Sequence, residues 1–104
     1  MQVEATINSN PKIAESAALG VRTEGGEDAM VLYVVLKPGE KLMPEELMAW
    51  CEDRLPRFAV PRYIEFLDQL PKTPTERVEK YKLKEQGIGP NAWDREKAGY
   101  KLKR

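Results

Sequence analysis

The segment Met30-Val31-Leu32-Tyr33-Val34-Val35-Leu36 constrains this chain most. It is an unbroken apolar run, rich in β-branched and aromatic residues that suit extended backbone. A strand with one wet face would alternate polar and apolar residues. This one does not, so it is expected to be a central strand covered on both faces. Upstream, Ile13 to Val21 is patterned differently. One parity holds Ile13, Ala17, Leu19 and Val21, interrupted by Glu15; the other holds Ala14, Ser16, Ala18 and Gly20. The alternation predicts a strand with a bulky face and a thin face. Between the two lies Thr23-Glu24-Gly25-Gly26-Glu27, a turn whose glycines can take positive φ. The strands should therefore form an antiparallel hairpin.

The remaining elements follow from spacing and punctuation. Val3 and Ile7 share one helix face, and Asn10-Pro11 stops that helix. Lys37-Pro38-Gly39-Glu40 turns the chain. Pro44 then suits the first helical position, with Glu45 and Glu46 complementing the positive end of the helix dipole. Leu47, Trp50, Cys51 and Leu55 recur at helical spacing until Pro56. Trp50 and Cys51 read as core residues, since Cys51 has no evident cationic partner to activate it. Tyr63, Ile64, Phe66 and Leu67 predict a third strand, and Pro61 before it predicts an edge position at its start. A last helix is expected through Val78, Tyr81 and Leu83 to Gln86, with Gly87 as its C-cap. Beyond Gly89-Pro90 the periodicity is lost, and Asn91 to Arg104 reads as a tail that Trp93 and Tyr100 can pin to a surface. The sequence thus predicts a small α+β domain over residues 1–88, followed by a tail over 89–104. Its sheet is three-stranded, an antiparallel hairpin plus a third strand, with helices packed on it.

Composition removes several function classes. A chain of 104 residues has room for one domain with a modest core. Its 17 basic and 17 acidic side chains balance, which argues against nucleic-acid and anionic-membrane binding. The one basic cluster, Lys97 to Arg104, reads as a solvated tail. There is no histidine, so the common zinc and non-haem iron sites are excluded, as is a Ser-His or Cys-His nucleophile. A single cysteine excludes an intrachain disulfide. No signal peptide is evident, and the longest apolar run, Ala29 to Leu36, is far below the roughly 20 residues that span a bilayer. A cytoplasmic location and no membrane insertion are the expectation.

Four phrases in order carry a resemblance: VEATINSNPKIAESAALGV, a hairpin ending in AMVLYVVLKPG, the acidic helix PEELMAWCEDRL, and FAVPRYIEFLDQLPKT. Together, over about residues 2 to 85, they are similar to the C-terminal domain of adenylate-forming acyl-CoA synthetases. Within that family the chain looks most like bacterial fatty-acid and crotonobetaine/carnitine-type CoA ligases. The resemblance implies a mobile lid for an N-terminal adenylation domain. In the first half-reaction a carboxylic acid substrate attacks the α-phosphorus of Mg-ATP, giving acyl-adenylate and pyrophosphate. The lid then rotates, and the CoA thiol attacks the adenylate, giving acyl-CoA and AMP. ATP, Mg2+ and CoA are implied for the whole enzyme, with none held tightly by this domain. The family's hinge and glycine-rich loop precede the Val-Glu phrase, and here Val3-Glu4 stands almost at the first residue. The chain by itself is therefore expected to be inactive, and its acyl substrate to be set by the larger domain.

The resemblance places the chemistry in LPKTPTERVEK. Aligning Pro71-Lys72-Thr73 and Val78 leaves Arg77 where the family carries a catalytic lysine and Glu76 where it carries glycine. That lysine bridges substrate carboxylate and α-phosphate and offsets charge that grows in the transition state. Three readings stay open: Arg77 performs the role, Lys72 or Lys80 reaches the site instead, or adenylation is weak or modified. Thr73-Pro74-Thr75-Glu76 has the form of a capping box, so the last helix is expected to begin near Pro74 and present Arg77 from its first turn. Arg57 and Arg62 are CoA-phosphate candidates, as is Lys72 after rotation, unless each is a plain surface charge. Glu4 reads as a helix-terminal charge. The rival function is a stand-alone α+β module binding protein or RNA. The aliphatic surroundings of Tyr33 count against RNA, because an RNA-binding sheet exposes aromatics beside basic residues.

Overall fold

The computed structural model describes residues 2–22, 26, 28–56, 59–75, 77–89 and 92–100. Helix α1 (Gln2–Asn8) leads into strand β1 (Ile13–Arg22), which pairs antiparallel with β2 (Asp28–Leu36). The turn expected between them lies mostly outside the described residues. Helix α2 (Pro44–Arg54) then crosses to β3 (Tyr63–Phe66), which runs parallel to β2, with Tyr33 opposite Glu65. Helix α3 (Lys80–Gln86) and a two-residue strand β4 (Trp93–Asp94) complete the order.

Strand β2 is covered on both faces, as its sequence predicts. Leu32 and Val34 pack with Ile7, Leu47, Met48, Cys51 and Ile64, beneath α1 and α2. Val31, Tyr33 and Val35 pack on the opposite face with Ala17, Val21, Leu70 and Leu83, beneath α3. The two faces of β1 are less regular than its alternation suggests. Between Ile13 and Glu15 the pairing slips at a β-bulge, and an extra residue in one strand reverses side-chain parity. Ile13 therefore joins Ala18 on the α1–α2 side, while Ala17 and Val21 keep the α3 side.

Among the described residues the sheet has four strands, in the order β1-β2-β3-β4, where the sequence predicted three. Tyr63 lies opposite Asp94 and Ile64 opposite Trp93, so the start of β3 is interior and not an edge. Pro61 sits just before this ladder, where a missing N–H leaves no gap. The first donor is that of Arg62, which reaches the Met30 carbonyl at 3.1 Å.

Helix ends obey local chemistry. Pro44 opens α2, and the Glu46 carboxylate accepts the Met43 N–H at 3.3 Å. Gly87 ends α3 with φ of 69°, and its N–H returns to the Leu83 carbonyl. From the sheet face beneath α3, the buried Tyr33 hydroxyl donates to the Gly87 carbonyl at 2.8 Å, tying the end of α3 to the central strand. Burial and the neighbouring Glu65 charge push that phenol up to about 12, so it remains a donor at all ordinary pH. Glu65 in turn accepts the Gly89 N–H at 3.1 Å. A Cβ at Gly89 would lie 2.7 Å from that carboxylate, so a larger residue there would displace the Glu65 side chain from this bond.

Cys51 is fully buried in α2, and Trp50 packs beside it. Burial pushes the Cys51 thiol up to about 12, against the Arg54 charge and with that of Glu52, so it is an inert core group. Among the described residues no helix is long and apolar enough to cross a membrane.

Candidate functional site

The segment from Leu70 to Val78 is a hairpin loop, not a helix start. Lys72 and Val78 form an antiparallel bridge. The Thr73 N–H donates to the Arg77 carbonyl at 2.8 Å, and the Glu79 N–H donates to the Pro71 carbonyl at 2.8 Å. A helix would run the first of these bonds the other way, from the Arg77 N–H to the Thr73 carbonyl. Here the Arg77 N–H goes to the Thr73 side-chain oxygen at 3.2 Å, which itself lies 2.9 Å from the Thr75 hydroxyl. The threonine does cap a backbone donor as expected, but across a reversal of the chain. Helix α3 accordingly begins at Lys80, not Pro74, and Val78 belongs to the bridge. Glu76, the other half of the expected capping box, lies outside the described residues.

The loop separates its cations into held and presented groups. Lys72, at its base, pairs with Glu15 of β1. Lys80, just beyond its exit, pairs with Glu4 of α1 at 2.7 Å. Arg77, on the returning arm opposite Thr73, is exposed. Among the described residues no carboxylate takes its guanidinium. A guanidinium offers a planar fork of donors that fits a carboxylate or phosphate in a bidentate manner. Its exposure leaves that fork free for an anion brought by another surface.

The remaining candidates lie elsewhere. Arg57 lies outside the described residues. Arg62 sits at the β3–β4 side, with Nε and Nη2 donating to Asp94 at 3.2 and 3.3 Å, Glu96 at 3.5 Å, and its head over the Tyr63 ring. The structure therefore does not bring Arg62 to the Arg77 loop. Glu4 is more than a helix-terminal charge. Its Oε2 accepts the Ala18 N–H at 2.8 Å, on the outer edge of β1, as well as the Lys80 ammonium. Pattern reading missed these partners. The one hint was Glu15, a charge interrupting the bulky parity of β1. Tyr33 is fully buried, so the hairpin's one aromatic offers no stacking surface.

The Arg62–Asp94 pair fastens the last described segment. Burial favours a neutral Asp94, but the Arg62 fork and the Glu96 and Lys97 backbone donors outweigh it and hold the carboxyl below its ordinary value. Tyr100 adds a second fastening, donating to the Glu52 carboxylate at 2.6 Å while its ring meets Trp93 edge-on at 6.0 Å. A carboxyl with a depressed folded value contributes stability that is complete above its unfolded value, about 3.9. That contribution is lost as pH falls through the lower folded value. Thermal unfolding of Asp94→Asn should show a loss of about 1–3 kcal/mol at pH 7 and a shallower decline below pH 4 than the parent shows. A parent-like decline in the variant would assign the acid sensitivity to other carboxyls.

Comparison with known proteins agrees with this architecture. The family model described as the AMP-binding enzyme C-terminal domain matches residues 2–77. A (7a-methyl-1,5-dioxo-octahydro-1H-inden-4-yl)propanoyl:CoA ligase of Rhodococcus jostii is 39% identical over 85 residues, covering 82% of this chain and 16% of the relative. The crystal structure of an acyl-CoA synthetase from Brucella canis superposes with a TM-score of 0.73 at 31% identity, over 81% of this chain and 16% of that one. ATP-bound MatB from Rhodopseudomonas palustris gives a TM-score of 0.76 at 26% identity, over 82% and 17%. The chain thus spans about one sixth of the length of these relatives. With the fold, the loop and these likenesses together, the chain belongs to the AMP-binding enzyme C-terminal domain family.

Proposed function

We propose that this chain is the mobile C-terminal domain of an ATP-dependent acyl-CoA ligase in the cytoplasm, completing the active site of a larger N-terminal adenylation domain. The observation that carries the reading is the presented Arg77, exposed on a hydrogen-bonded hairpin whose flanking lysines are paired with carboxylates. The likeness to ligases and to an ATP-bound structure supports it.

In this reading ATP arrives with Mg2+ on the larger domain, and the acyl carboxylate attacks its α-phosphorus with loss of pyrophosphate. Two anions must approach each other, and negative charge accumulates on the α-phosphate oxygens. Arg77 lies between them as a fixed cation, lowering the repulsion and stabilising that charge. The hydrogen bonds that shape the loop reduce the reorganisation this requires. After the domain rotates, the CoA thiol attacks the adenylate carbonyl and AMP leaves. Closure also keeps water from the adenylate. Arg57 and Arg62 remain the basic groups assigned to CoA phosphates, although Arg62 would then share donors now given to Asp94 and Glu96.

The test is ATP–pyrophosphate exchange over a panel of carboxylic acids, by the larger domain alone and by the same domain joined to this chain. Exchange should appear only in the joined protein. Equal exchange without this chain would overturn the proposal.

A further inference from the structure

We propose that Glu15 and Glu4 are positioning residues for adenylation, holding the Thr73–Arg77 hairpin by the lysines at its two ends; this rests on the role given to Arg77 above. The hairpin's own hydrogen bonds define its shape, since Thr73, Arg77 and Glu79 all donate within the segment. They do not set its direction relative to the sheet. Leu70 is buried at the base and Val78 packs against the same cluster, one on each arm of the hairpin. The two ion pairs join those arms to β1 and α1.

Their geometry suits the task. Lys72 immediately precedes the hairpin and reaches Glu15 on β1. Lys80 opens α3 and reaches Glu4 on α1. Both carboxylates thus come from the α1–β1 unit, so the loop is referred to one rigid frame. Glu4 is itself fixed, because the oxygen that meets Lys80 also accepts the Ala18 N–H at 2.8 Å. Its side chain is only 19% exposed, well below the 46% of Lys80, so the carboxylate is the fixed member and the lysine the tethered one. An apolar residue at position 15 would extend the bulky parity of β1. The charge found there is explained by the lysine it meets. Each paired lysine carries its own counter-charge, so the positive field offered to an incoming carboxylate and phosphate centres on Arg77.

The pairs are half-exposed, and such pairs add little to overall stability. Orientation is more sensitive, since a displacement of about 1 Å costs about a hundredfold in rate. Their loss should therefore register in catalysis before it registers in unfolding. The experiment uses Glu15→Gln, Glu4→Gln and Arg77→Ala in the ligase carrying this domain. The amide oxygen in Glu4→Gln can still accept the Ala18 N–H, which protects the fold. Both glutamine variants should lower kcat for adenylation about tenfold with KM for ATP unchanged. Thioester formation from supplied acyl-adenylate should stay parental, and Glu15→Asp should recover part of the loss. Amide hydrogen exchange should quicken at Thr73 and Glu79 but not along the β1–β2 ladder. Parental adenylation in both glutamine variants, beside an inactive Arg77→Ala, would overturn the positioning role and leave Arg77 in place. Equal loss in both half-reactions would also overturn it. Parental adenylation in Arg77→Ala would instead remove the role of Arg77, and with it the step these carboxylates are said to serve.

Discussion

Replacing Arg77 with alanine should lower the rate of ATP–pyrophosphate exchange by about a hundred- to a thousandfold, the usual effect of removing one preorganised group that stabilises transition-state charge. The expected size follows from what the loop presents. Arg77 is exposed, its backbone N–H and C=O are both engaged by Thr73, and its guanidinium meets no carboxylate among the described residues. Lys72 and Lys80 cannot replace it without breaking their pairs with Glu15 and Glu4. Arg77→Lys should retain most of the activity, since it keeps the charge and loses only the bidentate fork. A lysine variant as inactive as the alanine variant would mean that the fork, rather than the charge, carries the step.

Truncating Leu32 to alanine should cost about 2–5 kcal/mol, the range for emptying a buried leucine site. Leu32 is fully buried in the central strand and packs beneath α1 and α2. Domains of this size have total stabilities of about 5–15 kcal/mol, so the loss would be a large fraction of the whole. Thermal unfolding should move down by at least about 8 °C, from about 4–8 °C for each kcal/mol in a domain of this length. A change of a degree or two would mean that the face beneath α2 is much looser than its burial suggests.

Much of the fold could be read from pattern because its strongest signals are local. The apolar run of β2 needs cover on both faces, and the structure supplies α1 and α2 on one and α3 on the other. Pro44 and Glu46 mark the start of α2, and Gly87 marks the end of α3. Where the reading failed, a tertiary contact had overridden a local preference. Strand β4 has two residues, too few for any period, and is held by Arg62 and by the pairing of Tyr63 with Asp94. The bulge beside Ile13 reversed one residue's face. In the loop, Thr73-Pro74-Thr75 offers a helix cap, but the Lys72–Val78 bridge bends the chain back and Thr73 caps Arg77 across the reversal.

The candidate site divides in the same way. Arg77 was singled out by its place in a family pattern, since an isolated arginine on a charged segment carries no signal of its own. The ion pairs flanking it were invisible because they join distant residues. Glu15 and Lys72 meet only when β1 and the hairpin lie side by side, and Glu4 reaches Lys80 only from α1. The Arg62–Asp94 pair likewise depends on β4 folding back along β3. Sequence spacing cannot report such pairings, although the misplaced charge of Glu15 in an apolar parity was a trace of one.

The central claim is that this domain supplies a cation for adenylation and then turns a different face to thioester formation. Its most direct test is single-turnover formation of acyl-CoA from supplied acyl-adenylate and CoA by the Arg77→Ala ligase. The account predicts a rate equal to the parent's, beside exchange reduced at least about a hundredfold. An equal loss in both half-reactions would contradict it, because Arg77 would then serve docking or folding in general and not the attack on the α-phosphorus.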